Sequence, residues 1–422
     1  MLSIDGLRAD AIDDPTLALP SLRSLIARGA RARSLRPIFP TVTWPCHTSI
    51  VTGVAPARHG ILGNLVYDRA AGRVVDHYGD RNDVPIAVET LWDRVRAAGG
   101  RTASICWPKT RGVAAVADNI PEFYEQELFE EYASRPLWTE LAGKRLPVER
   151  YGEWSTRHVL GPMQDWMTLE AALHVLAVRP PTLMLLHFLT LDSYQHDYGV
   201  DAPESRWALL QMDALLGRLL SALDRIGRAE STALMVFGDH GFVNVSGYHH
   251  LNQILREERL LDVATRGTVT HARAWAAGNG GAAYVYLLDG AAKTASARLR
   301  ERFAALAGVQ VYGPEQFRDL GLPAPEPTSM QGDLVLTADD GYMFTGHATP
   351  EDVAAAPAYV AAHGHSPALA KLGAGFVMAG PGVREATRLG EVSMLDLGPT
   401  AARLLGVKLP GAEGHPLEEA LA

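Results

Sequence analysis

The chain is predicted to be an α/β protein built on a mostly parallel central sheet with helices on both faces. Three observations carry that expectation. Short apolar runs alternate with amphipathic helical patterns along most of the 422 residues, the rhythm of strand–helix–strand units. Asp5, Asp192 and Asp239 each stand just past the end of such a run, where open α/β sheets place their sites. The length, with 47% apolar and 21% charged residues, suits a globular enzyme with a large core.

The elements follow in order. A first strand is read at Leu2–Ile4, closed by Asp5 and Gly6, and an amphipathic helix at Ser21–Arg28. Pro40 and Pro45 set the approach to Thr41-Val-Thr43-Trp-Pro-Cys-His47, and the run after Pro45 reads as a helix start. A helix at Val88–Ala98, a strand at Thr102–Cys106, a helix at Leu169–Ala177 and a strand at Thr182–Leu189 come next. In the long helix expected at Arg206–Ile226, Leu209, Met212, Leu216, Leu219, Leu220 and Leu223 recur at helical spacing and are assigned to the core. Strands at Ser231–Phe237 and Ala374–Met378 complete the set.

Two stretches break the rhythm. Residues 120–160 are rich in aromatic and acidic side chains and read as a small insertion near the site. Residues 245–345 hold their own strand–helix–strand pattern (Ala282–Leu288, Ala291–Ala307, Val309–Tyr312) and read as an inserted α+β subdomain or lid. That leaves 1–244 and 346–422 as the catalytic core. An alanine-rich patch at 354–358 is too short to count as low complexity.

Composition excludes several classes. A net charge of −9 argues against a surface that grips nucleic acid by its phosphates. Two cysteines, Cys46 and Cys106, build no disulfide framework. No run of 18 apolar residues suggests a membrane span. With no leader ahead of MLSID, the cytoplasm is the default location. The first strand is cut short, however, so upstream residues and an export signal are left open. Oligomeric state is not legible.

The chemistry lies in scattered acids and histidines. Asp192-Ser-Tyr-Gln-His196 puts a carboxylate and an imidazole one helical turn apart, so both can grip one cation if the segment is helical. Alone, the pair serves equally as a helix cap and a surface histidine. Phe237-Gly-Asp239-His240-Gly-Phe sets an Asp-His pair between glycines, which is either a ligand pair or an Asx turn. Asp5 alone would pass for a cap of a helix near Asp10. In His363-Gly-His365, His363 is the chosen ligand and His365 a second-sphere or substrate contact, with His347 a rival for the ligand role. Thr43, at a helix N-terminus, would feel the positive end of the macrodipole; the plainer reading makes Thr43 or Thr41 an N-cap. Together these donors match what a pair of Zn²⁺ ions requires, with Mn²⁺ the alternative. His47 and His59 are assigned to second-sphere support, and His77, His158, His174, His249 and His250 to no metal duty. Cys46, three residues from Thr43, suggests sensitivity to thiol reagents.

The set resembles the alkaline phosphatase superfamily, in particular the type I phosphodiesterase/nucleotide pyrophosphatase family. The likeness runs through LSIDGLRAD, FPTVTWPCHTSIVTGVAPARHGILGN, LDSYQHDYG, VFGDHGF, AHGH and MLDLGPTAARLLG. It implies an alkaline-phosphatase-like three-layer sandwich. It also implies one zinc on Asp192, His196 and His363, and another on Asp5, Thr43, Asp239 and His240. Thr43 would be the nucleophile, forming a threonyl-phosphoryl intermediate, with Asn64 binding a phosphoryl oxygen. Trp44 matches the family's aromatic that packs on a nucleobase or other flat group; simple packing against the Pro-rich turn is the alternative. The sequence departs from nucleotide-cleaving relatives at Pro45-Cys46-His47 and Thr190-Leu191-Asp192, which bears on the substrate pocket.

The implied substrate is a small phosphodiester, nucleotide or phosphonate. A sulfatase would need a Cys or Ser nucleophile with a following arginine, and neither is present. No arginine flanks Thr43, which favours a diester over a dianionic monoester. The nearest rival resembles phosphonoacetate hydrolase, in which lysines hold a carboxylate; Lys109 and Arg111 would serve, or form a solvated turn. A metal-binding protein without turnover is the remaining alternative, though it has no need of Thr43.

Overall fold

The structure is a computed structural model that describes residues 1–79, 84–264, 269–326, 329–351 and 359–422. The patch at 354–358 lies outside the described residues. Eight strands form the central sheet, in the order Thr387–Ser393, Gly29–Arg36, Phe376–Ala379, Leu234–Phe237, Leu2–Ile4, Leu183–Phe188, Thr102–Trp107 and Val116–Pro121. Phe376–Ala379 runs antiparallel to both of its neighbours, and every other pairing is parallel.

Period-two alternation decides what each face buries. Leu186, Phe188, Leu234, Val236 and Val377 join the core under the helices Pro20–Ala27, Gly161–Val178 and Pro203–Arg225. Leu183, Leu185, Met235, Phe237, Phe376 and Met378 face the other way, onto Thr43–Thr52, Leu91–Ala97 and Leu397–Leu404. In the long helix, Leu209, Met212, Leu216, Leu219 and Leu223 are buried as expected, while Leu220 is only half-buried.

The expected strands and helices are present with boundaries moved by a few residues, with two exceptions. The helix read at Leu169–Ala177 begins at Gly161, and the one read at Ala291–Ala307 is two helices, Gly290–Thr294 and Ser296–Ala304. Three central strands had not been expected: Gly29–Arg36, Val116–Pro121 and Thr387–Ser393. Two are charge-rich and the third carries a proline, so none reads as an apolar run. Val116–Pro121 and Thr387–Ser393 are the sheet's edges, where polar residues and proline are tolerated.

Beyond Asn244 the chain builds a four-stranded antiparallel sheet, ordered Ala274–Asn279, Ala282–Leu287, Leu334–Ala338 and Val309–Tyr312. Helices Leu251–Glu257 and Ser296–Ala304 share a core with one of its faces. Its other face is fastened to the loop that carries Asn64. Asn279 accepts from the backbone N–H groups of Asn64 and Leu65 and donates to Leu65 O, and the Tyr284 hydroxyl donates to Leu62 O. His249 and His250, expected in a loop, lie in the strand Gly247–His250, paired parallel with Tyr342–Thr345.

Gly241 shows why glycine flanks the Asp239–His240 pair. A Cβ there would sit 2.1 Å from the backbone oxygen of Lys371. The residue makes room for a neighbouring loop; no special bend is needed. Gly241→Ala is expected to lower stability by about 1–3 kcal/mol, read as a lower denaturation midpoint in urea.

Candidate metal centre

Asp5 and Asp239 reach the site just past the ends of strands, and Asp192 in the helix that follows one. Asp5 follows Leu2–Ile4, and its N–H still donates to Phe188 O, 2.9 Å away. Gly6 then turns through a left-handed conformation at φ +69°. Its N–H meets Asp239 Oδ1 at 3.2 Å, which ties the first strand's end to the loop after Leu234–Phe237. Asp192 lies in the first turn of the helix Thr190–Tyr198, so His196 falls on the same face, with Nε2 at 3.6 Å from Asp192 Oδ2. Asp165, buried, accepts from the N–H groups of Leu189 and Thr190 and thereby holds that helix start.

The structure brings the candidate donors together. Asp5, Asp239 and His240 present ligand atoms within 4.8 Å of one another, as do Asp192, His240 and His363. His240 Nε2 is 3.3 Å from both Asp5 Oδ1 and Asp239 Oδ2. His363 Nε2 is 3.6 Å from Asp192 Oδ1, and its ring stacks on His240 at 3.6 Å. His240 thus stands in both clusters, whereas the family pattern assigns it to one.

The histidines are oriented from behind. Nδ1 of His196, His240 and His363 faces the carbonyl oxygens of Ala361, Gly241 and Thr41 at 2.9, 3.2 and 2.9 Å. Each Nδ1 therefore carries the proton, leaving the Nε2 lone pair free for the centre. Thr41 also accepts from Gly364 N–H and donates to His365 O, so it fastens the His363 loop to the Thr43 segment. It is an anchor; the helix Thr43–Thr52 is capped at Val42 without any side-chain hydrogen bond.

Electrostatics show that the site is built for positive charge. Burial drives the Asp5 and Asp239 carboxyls well above the usual carboxylate range, each raised further by other carboxylates, and Asp192 up to about 7. Burial also holds His240 and His363 well below the usual imidazole value and His196 at about 4. Asp5 Oδ1, Asp192 Oδ1, Asp239 Oδ2 and His240 Nε2 are buried with no hydrogen-bond partner among the described residues. Buried orphans of this kind are costly, and neutral imidazoles beside carboxylates form the donor set that divalent metals take. The residues fit bound divalent metal.

Thr43 is the first residue of its helix and lines a cavity of about 130 Å³ with Asp5, Asn64, Asp192, His196 and His363. Asn64 Oδ1 accepts from Trp44 N–H at 3.0 Å, which turns its amide nitrogen toward the Tyr78 hydroxyl at 3.4 Å. Tyr78, Glu122, Tyr124, Trp154, His158 and Tyr359 share the wall.

Other expected site residues go elsewhere. Trp44 is buried, its ring stacked on His77 at 5.1 Å. Lys109 Nζ donates to Val84 O, and Arg111 lies over the Phe123 ring at 4.5 Å; both are buried, so this is no solvated turn. Trp44, Lys109 and Arg111 are absent from the described lining of the cavity. His365 bonds Tyr342 O, and His347 lies against His250, away from Asp192. His59 bonds Ser49 rather than the metal ligands. His47 does reach the centre, with Nδ1 at 2.9 Å from Thr43 O and 3.6 Å from Asp239 Oδ2.

Cys46 is sealed in the core, and burial pushes its thiol well above the usual cysteine value. The expected thiol sensitivity is therefore corrected, since reactivity needs an accessible thiolate. Native protein should resist an aromatic disulfide reagent that labels both thiols after unfolding; fast labelling in the native state would contradict this.

Sequence reasoning missed His187, Glu122 and Tyr78. His187 carried a signal: a lone imidazole inside the strand Leu183–Phe188, on the face shared by Leu183 and Leu185. Glu122 stands just past Val116–Pro121, a strand that was itself missed.

Comparison with known proteins places this arrangement. A family model described as type I phosphodiesterase/nucleotide pyrophosphatase matches residues 1–366. Ectonucleotide pyrophosphatase/phosphodiesterase family member 7 of Rattus norvegicus is 24% identical over 254 residues, covering 58% of this chain and 50% of that protein. Family member 1 of Homo sapiens is 26% identical over 272 residues, covering 62% of this chain and 26% of its own length. The matches thus span half or less of these relatives. Murine ectonucleotide pyrophosphatase/phosphodiesterase 5 superposes with a TM-score of 0.72 at 19% identity, covering 100% of this chain and 99% of that one. An inactive form of the murine protein in complex with AMP gives 0.73 at 19% identity, covering 100% and 98%. At such identity the structural likeness is one of fold. The family match covers most of the sequence, and on that ground the chain belongs to the type I phosphodiesterase/nucleotide pyrophosphatase family of the alkaline phosphatase superfamily.

Proposed function

We propose that the protein is a two-metal hydrolase of phosphodiester or pyrophosphate bonds in small nucleotide-type substrates. The observation that carries this reading is the placement of the Thr43 hydroxyl, at a helix N-terminus, in one cavity with Asn64 and the orphaned donors of Asp5 and Asp192. Asp5, Asp192, His196, Asp239, His240 and His363 would hold two divalent cations, Zn²⁺ by donor type, with Thr43 lining the same cavity. Such a pair supplies Lewis-acid stabilisation and lowers the pKa of a nearby hydroxyl.

Thr43 Oγ attacks phosphorus in line and gives up its proton, while the bond to the leaving oxygen breaks and that oxygen takes up a proton. A threonyl phosphodiester forms, or a phosphomonoester where a terminal phosphoryl group is attacked. Water then cleaves that ester and returns the proton to Thr43. The helix N-terminus steadies negative charge on Oγ, and the Asn64 amide, held in register by Trp44 N–H, donates to a non-bridging oxygen. No Lys or Arg lines the cavity among the described residues. That absence supports a singly charged diester over a dianionic monoester, and it withdraws support from a phosphonoacetate-type carboxylate clamp. The aromatic wall suits a flat group, in keeping with the AMP complex of the murine relative and a mouse relative named bis(5'-adenosyl)-triphosphatase.

The test is turnover of bis(4-nitrophenyl) phosphate, 4-nitrophenyl phosphate, phosphonoacetate and a dinucleoside polyphosphate, each with and without added Zn²⁺. Metal-dependent preference for diester and dinucleotide is expected. Preference for phosphonoacetate would favour the rival, and no turnover of any of them would favour a metal binder.

A further inference from the structure

We propose that His187, braced by Glu122 and the carbonyl of Cys106, is a positioning residue that decides which oxygen of Asp5 is offered to the metal centre. The inference rests on the reading of Asp5 as a ligand. His187 is fully buried, with Nε2 3.2 Å from Asp5 Oδ2. On its other side, Nδ1 lies 3.2 Å from Cys106 O and 3.4 Å from Glu122 Oε2. Both ring nitrogens thus face oxygen acceptors. Asp5 Oδ1 has no hydrogen-bond partner among the described residues and lies 3.3 Å from His240 Nε2. His187 Nε2 likewise has none there, so its 3.2 Å approach to Asp5 Oδ2 is a charge contact and not an aligned hydrogen bond.

The backbone is shaped for this contact. Register shifts between Ile105 and Trp107, and Cys106 adopts φ +60°, a left-handed conformation that non-glycine residues rarely take. Bulges and strained residues of this kind gather at functional sites. Here the bulged residue is the one whose carbonyl meets His187. A leucine at 187 would continue the apolar pattern of Leu183 and Leu185, so packing alone does not call for histidine and a buried glutamate. Outer-sphere groups of this kind orient ligands and tune metal affinity.

The test strips full-length protein with a chelator, then measures Zn²⁺ uptake against a chromophoric competitor and records the visible spectrum of the Co²⁺ form. Wild type should take up two ions. His187→Leu should weaken uptake by about 10–100-fold and shift the Co²⁺ bands. His187→Gln, which keeps an N–H near the Nε2 position, should recover most of the affinity, and Glu122→Gln should fall between the two. Affinity and spectrum unchanged in His187→Leu would overturn the proposal. So would loss of one full equivalent of metal, because His187 would then be a ligand itself. Should His187→Leu fail to fold, unchanged affinity in Glu122→Gln overturns it instead. Wild type that binds no metal defeats the hydrolase reading as well, whereas intact wild-type binding with unaffected variants defeats this inference alone.

Discussion

Thr43→Ala should lower kcat for a diester substrate on the order of 10⁴-fold or more, the scale seen when a nucleophile is removed from an otherwise intact site. The fold should survive, because Thr43 does not cap its helix; Val42 holds that position. Metal content should stay near that of wild type, since the acids and imidazoles remain. Thr43→Ser keeps a hydroxyl and should retain measurable turnover. The discriminating measurement is single-turnover hydrolysis alongside metal analysis. A Thr43→Ala protein that keeps a tenth of wild-type activity would mean that water attacks directly and that no threonyl ester forms.

Removal of metal should have the second large effect, on stability as well as activity. Asp5 and Asp239 are buried and Asp192 partly buried near them, so the metal-free protein must either protonate these carboxyls or hold them as like charges at a cost. At a metal concentration about 1,000 times the dissociation constant, one site contributes about 4 kcal/mol, so chelation should lower Tm by roughly 5–10 °C. The metal-free form should also respond to pH in a definite direction. Asp192 has a folded-state pKa raised from 3.8 to about 7, first by burial. A raised carboxyl pKa means that the folded state binds the proton more tightly. Its stabilising contribution is full below pH 3.8 and is lost as pH rises through about 7. Asp192 by itself therefore favours a higher Tm for chelated protein at about pH 5 than at about pH 8, while His196, held at about 4 by burial, pulls the other way. The Asp192 contribution is read as the difference in pH dependence between wild type and Asp192→Asn, and added Zn²⁺ should erase it by favouring the ionised carboxylate. A chelated protein whose Tm is the same with and without metal would show that these donors hold no cation.

Much of the site was legible because strand ends are legible. Asp5, Asp192 and Asp239 follow apolar runs, and in a parallel sheet those runs end on one edge, so their acids converge. The 190s pair was readable through helical periodicity alone, since Asp192 and His196 share a face once Thr190–Tyr198 is a helix. Choosing His363 over His347 needed the fold: only His363 is brought beside Asp192, by a loop that Thr41 holds in place. Trp44 shows the limit of motif reading. Its position in the pattern suggests a wall for substrate, yet His77, far along the chain and without any sequence signal, covers its face.

Local order along the chain was enough to determine the α/β class, the buried faces of the main helices and the residue types that gather at the strand ends, because periodicity and solvent avoidance act over short distances. Only the tertiary structure decided which polar residues lie beneath them. His187 looked like an interruption in a hydrophobic strand, and Glu122 like one more acid in an irregular stretch. They meet because Leu183–Phe188 and Val116–Pro121 both flank Thr102–Trp107, whose bulge turns a carbonyl toward the imidazole. Such a contact depends on strand order and register, which no single segment encodes.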